Sequence, residues 1–270
     1  MANTSRIWLI TGTSSGFGLE LAKVAAQHGD RVLATTRSPH KLAKLESSNP
    51  NIKAVYLDHN EPPAQIQAAV KTILAVYGTV DIVVNNAAYV QTGVLEETTP
   101  EETQRQFQAN TFGPLNLYRA QLPHLRAKGS GTLTALRWLG LGLAGEISQF
   151  GISHCLVEPG FFRTELLNPT ANITTTAKSS RLSAYQELND TTDSNFAAFN
   201  GAQLGDPVKG AKVIYDVATS TGVAEGKPLP VFLPLGSDDI EEITKAASET
   251  LAVIKEWREI SSLTDLPKGS

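Results

Sequence analysis

The chain has one cysteine, Cys155, among 270 residues, so no disulfide can form within it. That suits a reducing compartment, and a cytoplasmic protein is expected. No apolar stretch approaches the ~18 residues of a membrane span. Residues 1–6 are polar and lead directly into an apolar run, so neither a membrane segment nor a signal peptide is expected. No basic run stands out among 23 Lys and Arg against 27 Asp and Glu, which argues against a nucleic-acid partner. One further absence concerns chemistry. None of the six tyrosines is followed four residues later by lysine; Asn60, Asp81, Gly93, Leu122, Asn189 and Thr219 stand at those places. That spacing would set both side chains on one helix face, where the Lys lowers the Tyr pKa.

What is present is an alternation of strand-like and helix-like runs. Residues 7–10, 31–36, 52–57, 81–86 and 152–157 read as strands. Between them lie helical stripes: Leu19, Leu21, Ala22, Val24 and Ala25, then Ile66, Ala69, Val70, Ile73 and Leu74, then a long one over residues 107–125. Near-continuous apolar strands alternating with helices predict an α/β fold: a Rossmann-like, doubly wound parallel sheet with helices on both faces, in one domain over residues 1–270. Residues 163–205 are rich in Thr, Asn and Ser. They read as a solvated loop with a short helix near 184–188, or as a lid over a substrate pocket. A last strand over 229–234 precedes a helix carrying Ile240, Ile243, Ala247, Leu251, Ile254 and Trp257.

The first turn carries the strongest motif. After Ile7–Ile10 come Thr11, Gly12, Thr13, Ser14, Ser15, Gly16, Phe17 and Gly18, and then an amphipathic helix. The glycines permit a tight turn and close backbone approach, and the helix start aims free N–H groups at a pyrophosphate. An ordinary strand-to-helix turn is the plain alternative. Arg37 closes the second strand, 19 residues after Gly18. An acidic residue there would accept the ribose hydroxyls of NAD. An arginine pairs instead with a 2′-phosphate, so NADP is expected over NAD. Asp58 ends the third strand, where it could meet the adenine amino group. Asn86 and Ala87 end the fourth, on the adenosine side.

Thr11 to Gly18, Asn85 to Ala88, Asn110-Thr111-Phe112-Gly113, and Pro159-Gly160 with Thr164 occur in this order. Together they resemble the classical short-chain dehydrogenase/reductases, particularly the subgroup similar to 17β-hydroxysteroid and retinol dehydrogenases. The resemblance covers about residues 5–165. It implies a seven-stranded parallel sheet, NAD(P) binding, and hydride transfer between a nicotinamide and a carbonyl or alcohol substrate. It makes Asn110 the residue that steadies a catalytic Lys through water, and places Pro159, Gly160 and Thr164 beside the nicotinamide. It also implies oligomers formed through the helix after Asn110 and the one after the Tyr-Lys turn.

The family's Ser, Tyr and Lys lie between those helices. Here that interval is only residues 126–138, with Gly131-Thr132-Leu133 as the start of the fifth strand and Thr134 to Trp138 as the middle of the next helix. A gap of roughly 25 residues is inferred, since a parallel pair needs a crossover. The fifth strand is then shortened or lost, and oligomers through the shortened helix are doubtful. None of Ser130, Lys128, Tyr89, Tyr185 and His154 reads as a replacement. Three readings stay open: a reductase impaired by internal shortening, a non-catalytic NADP-binding sensor or partner subunit, and an enzyme with another proton donor. Phe161, Phe162, Leu166 and Leu167 suggest an apolar substrate, or simple packing.

Overall fold

The computed structural model describes residues 5–134, 137–168 and 172–266. Its first part runs through β1 (Ile7–Ile10), α1 (Gly16–Gln27), β2 (Arg31–Thr36), α2 (Ala43–Ser48), β3 (Ile52–Tyr56), α3 (Pro63–Tyr77) and β4 (Ile82–Val84). There follow β5 (Val90–Thr92), α4 (Pro100–Phe107), α5 (Gly113–Lys128), β6 (Gly131–Thr134), α6 (Arg137–Ile147), β7 (Ile152–His154) and β8 (Leu156–Pro159). The last part holds β9 (Ile173–Thr175), α7 (Gln186–Phe199), α8 (Pro207–Thr219), β10 (Phe232–Leu235) and α9 (Ser237–Ser262).

Six strands form a parallel sheet in the order β3-β2-β1-β4-β6-β7. Each face of the sheet carries its own core. Trp8, Ile10, Val32 and Ala34 pack with α1 and α8 on one side. Leu9, Leu33, Val83 and Leu133 pack with α3 and α5 on the other. Strands buried on both faces explain the continuous apolar runs. The seventh strand is set off from the other six. β10 pairs with β8, and only Cys155 separates β8 from β7. One line of chain thus pairs with β6 in its first half and with β10 in its second.

The fifth strand is short but present. β6 pairs with β4 through Thr132–Thr134 and with β7 through Gly131–Leu133. Of the arrangements open to a shortened chain, this one keeps a ladder partner between β4 and β7. Ala135 and Leu136, read above as part of the following helix, and residues 169–171 lie outside the described residues.

Three expectations need correction. The long helix over 107–125 is two helices joined by a π turn, Gln108–Phe112. The turn lets Gly113 pass hard against the loop that follows β3, for a Cβ there would lie 2.3 Å from that of His59. The 163–205 segment is not mostly loop. It contains β9 and the 14-residue α7, where a short helix at 184–188 was expected. Its neck is closed, since Arg163 N donates to Gly205 O (2.8 Å) and Gly205 N to Phe161 O (3.2 Å). Finally, the last strand begins at Phe232, three residues later than the apolar run suggested.

Polar anchors tie these layers. The buried Asp30 accepts from Arg6 N (2.9 Å), Trp8 Nε1 (2.9 Å) and Tyr215 Oη (3.1 Å). At the amino end of the sheet, Asp81 accepts from Ile7 N (2.7 Å) and pairs with Lys128. Lys128 is thereby fixed at the end of the sheet opposite the glycine loop.

Candidate active site and cofactor cleft

A cleft of about 600 Å³ opens at the carboxyl ends of the strands, where β1 is flanked by β2 and β4 and the winding order reverses. This is the place and the size expected of a dinucleotide site. Gly12, Ser14, Ser15, Gly16 and Phe17 line it. Ser15 is the N-cap of α1 and its side chain makes no capping bond, so the first-turn N–H groups are left to whatever fills the cleft.

The loop's shape is imposed by contact. Gly12 sits at φ +68°, and a Cβ there would come within 2.8 Å of Ala87 Cα. Thr11 Oγ1 accepts from Asn86 N and Ala87 N (both 2.9 Å), while Asn86 Nδ2 donates to Thr11 O (2.9 Å). The ends of β1 and β4 are therefore one hydrogen-bonded unit. Thr13 and Gly18, expected at the cofactor, stand behind the loop instead. Thr13 is buried, with both its N–H and its hydroxyl donating to Thr35 O. A Cβ on Gly18 would lie 2.5 Å from both Asn86 Nδ2 and Gly12 O.

Arg37, Asp58, Ala87, Pro159 and Thr164 all line the cleft. Arg37 is exposed and forms no ion pair among the described residues. Asp58 Oδ1 accepts from Asn60 N and Nδ2 (both 2.9 Å), which holds the turn after β3. Gly160 is not at the surface of the cleft. It packs against Asp238, whose Oδ2 accepts from Phe161 N (2.6 Å). Asn110 lies in the π turn, and its amide is committed to the backbone of Tyr89: Oδ1 accepts from Tyr89 N (3.2 Å) and Nδ2 donates to Tyr89 O (2.8 Å). It braces the wall next to Ala88.

Several cleft residues carried no local signal. Gln91, Arg105, Asn172 and Thr174 meet because β5 pairs with β9 and Gln106 Oε1 accepts from Gln91 N (2.7 Å). The partners are 83 residues apart in sequence, out of reach of any periodicity. The substitute groups considered above separate cleanly. Tyr89 lines the cleft. Tyr185 donates to Glu96 (2.8 Å) outside it, and His154 is buried within the sheet. Burial pushes the Cys155 thiol up to about 11, so it is an inert residue between β7 and β8. Of the four apolar residues 161, 162, 166 and 167, only Leu166 lines the cleft. Phe162 packs on Phe17 (4.7 Å between centroids), Phe161 on Phe199 (5.1 Å), and Leu167 is buried.

His59 closes the floor. Burial pushes its pKa from 6.5 down to about 4, against the opposing pull of the Ala109 backbone and the charge of Asp58. The folded protein refuses a proton that the unfolded chain accepts. Stability from this residue is full above about pH 6.5 and falls as pH drops toward 4. The loss amounts to about 3 kcal/mol. We expect urea midpoints of His59→Leu to vary less between pH 7 and 4 than those of the parent chain. An unchanged slope would assign that pH dependence to other groups.

An α/β sheet with an uncapped helix start and a glycine turn at its switch point defines a dinucleotide-binding protein. The comparisons agree and are more specific. The short chain dehydrogenase family model matches residues 6–136. The oxidoreductase BOA17 of Botryotinia fuckeliana (strain B05.10) is 30% identical, over 95% of this chain and 98% of its own. That alignment runs over 281 residues, more than the 270 present here, so BOA17 has positions without counterpart in this chain. A short-chain dehydrogenase from Streptomyces avermitilis superposes with a TM-score of 0.83 at 32% identity, covering 97% of this chain and all of that one. Solved structures below 25% identity carry NADH, NAD or NADP and speak for the fold alone. The chain belongs to the short-chain dehydrogenases, NAD(P)-binding oxidoreductases of Rossmann-like fold. Among the described residues, no helix is long and apolar enough to cross a membrane.

Proposed function

We propose that this chain is an NADP-dependent carbonyl or alcohol oxidoreductase by descent, and that in this form its turnover is greatly reduced or absent. Arg37 carries the cofactor assignment. It is an exposed guanidinium on the cleft wall at the end of β2, without an ion pair among the described residues. The residues present fit such a cofactor: the first-turn N–H groups of α1 would face the pyrophosphate, and Arg37 the 2′-phosphate. NADPH when bound supplies the hydride. The chain's own part is to position the dinucleotide and exclude water with Thr164 and the 163–205 segment, which acts as a lid.

What the chain lacks is the tuned proton donor. No Tyr is followed four residues later by Lys, and Lys128 is held at the far end of the sheet. Loss of a general acid removes about 10²–10⁴-fold in rate. The same feature favours a second reading, a non-catalytic NADP-binding sensor or partner subunit. The substrate end of the cleft sets Tyr89 and Leu166 beside Gln91, Arg105, Asn172 and Thr174, so a small-molecule carbonyl with an apolar part and polar groups suits it. We place the protein in the cytoplasm, consistent with its single buried thiol.

The deciding experiment is a titration of the protein with NADPH and with NADH, followed by nicotinamide fluorescence. NADPH is expected to bind at least tenfold more tightly, and Arg37→Glu to erase the difference by weakening NADPH alone, since hydrogen bonds to charged groups contribute about 1.5–3 kcal/mol each. Equal affinities in the parent chain would overturn the NADP assignment. A ketone and aldehyde panel with NADPH then separates enzyme from binder.

A further inference from the structure

We propose that α9 is a dimerisation helix that pairs antiparallel with α9 of a second copy of this chain. The helix has 26 residues, so it is about 39 Å long. None of its residues is buried, and every residue from Thr244 to Leu266 is exposed. Yet it is not a polar helix. On one side of it Ile240 is 51% exposed, Ile254 49% and Trp257 51%. Scattered apolar residues on a surface need no explanation, but a continuous stripe does.

The stripe also says what covers it. Positions 240, 243, 247, 250, 254, 257 and 261 advance by alternating steps of three and four, the seam of a helix pair. Turned end for end about Thr250, position 243 exchanges with 257, and 247 falls one residue from 254. In an antiparallel pair centred on Thr250, Ile243 of each copy meets Trp257 of the other, and the small Ala247 meets the larger Ile254. That is the self-complementarity a twofold interface requires.

Charge selects the direction. The half from Ser237 to Glu249 holds five carboxylates and one lysine, whereas the half from Thr250 to Ser262 holds two of each sign. Parallel pairing would lay the acidic halves side by side. Antiparallel pairing lays each acidic half beside a neutral one. A helix pair of this length approaches the ~800 Å² per partner of a standard interface. This surface is separate from the α5 and α6 helices through which the family's oligomers were expected above, and the inference does not depend on cofactor binding.

The test uses the whole chain. Light scattering should give twice the 28.9 kDa of one copy. Ile254→Glu with Trp257→Glu should weaken the dimer at least tenfold while far-UV circular dichroism stays that of a folded protein. Cysteine placement then checks geometry without relying on those variants. Thr250→Cys lies on the twofold axis and should cross-link to its own copy under mild oxidation. Ser261→Cys should not, because in the antiparallel pair its copies are about 33 Å apart and a disulfide needs Cα atoms within ~7 Å. A monomeric parent chain, a dimer indifferent to the two glutamates, or equal cross-linking at 261 and 250 would each overturn the proposal.

Discussion

Asp30→Ala is expected to lower the unfolding free energy by about 4 kcal/mol, within the range for breaking a buried charged network. The carboxylate is 2% exposed and accepts three hydrogen bonds from separate parts of the chain: Arg6 ahead of β1, Trp8 in β1 and Tyr215 in α8. Removing it strands all three donors, each worth about 1–3 kcal/mol when buried and unsatisfied. The effect also reaches the packing, because Trp8 stacks on Tyr215 (5.4 Å) and His28 on the same ring (4.3 Å). Burial and the neighbouring Asp30 hold the Tyr215 hydroxyl up at about 12, so it remains a donor across the working pH range. Asp30→Asn keeps an acceptor and should lose about half as much. The melting temperature of the alanine variant should fall by about 10 °C. A loss below about 1 kcal/mol in urea would show that water replaces the carboxylate, and the network would then not hold α8 to the sheet.

Gly12→Ala is expected to weaken NADPH binding at least 100-fold while leaving the chain folded. A left-handed conformation at a non-glycine residue costs about 1–2 kcal/mol. The added Cβ would also meet Ala87 Cα at 2.8 Å, a backbone atom fixed by the Thr11–Asn86 hydrogen bonds. Overpacking of this kind adds about 1–3 kcal/mol. The loop must move, and with it the N–H groups that face the cleft. Gly29→Ala is the control. Its φ is +86°, but nothing lies within 4 Å of the new Cβ, and it is far from the cleft. That variant should lose about 1 kcal/mol of stability and none of the affinity. Equal NADPH affinity in Gly12→Ala and the parent chain would place the cofactor elsewhere.

The two variants also mark the boundary of what could be read from residues alone. The glycine loop was legible because strand, turn and helix are local, and each glycine answers to a constraint within a few residues or at the next strand. Arg37 was legible for the same reason: the end of β2 is fixed once α1 is. Thr13, Gly18 and Gly160 belong to the same motifs but face away from the cleft, because only side-chain packing decides which members of a turn touch a ligand. Arg105 and Thr174 reach the cleft through a pairing of distant segments. Residues 161 and 162 read equally as substrate contacts or as packing, and Phe199 and Phe17 lying against them decide for packing.

By itself the sequence determined the α/β class, the parallel sheet, the dinucleotide turn and the lack of a Tyr-Lys pair. These follow from period, composition and short-range spacing, which the chain carries wherever it folds. Only the tertiary structure decided that a four-residue β6 suffices to bridge β4 and β7, that Lys128 is spent on Asp81, and that the apolar stripe of α9 lies bare. Periodicity shows that a helix has an apolar face. What covers that face depends on where the rest of the chain ends up, and that is set by the sum of long-range contacts.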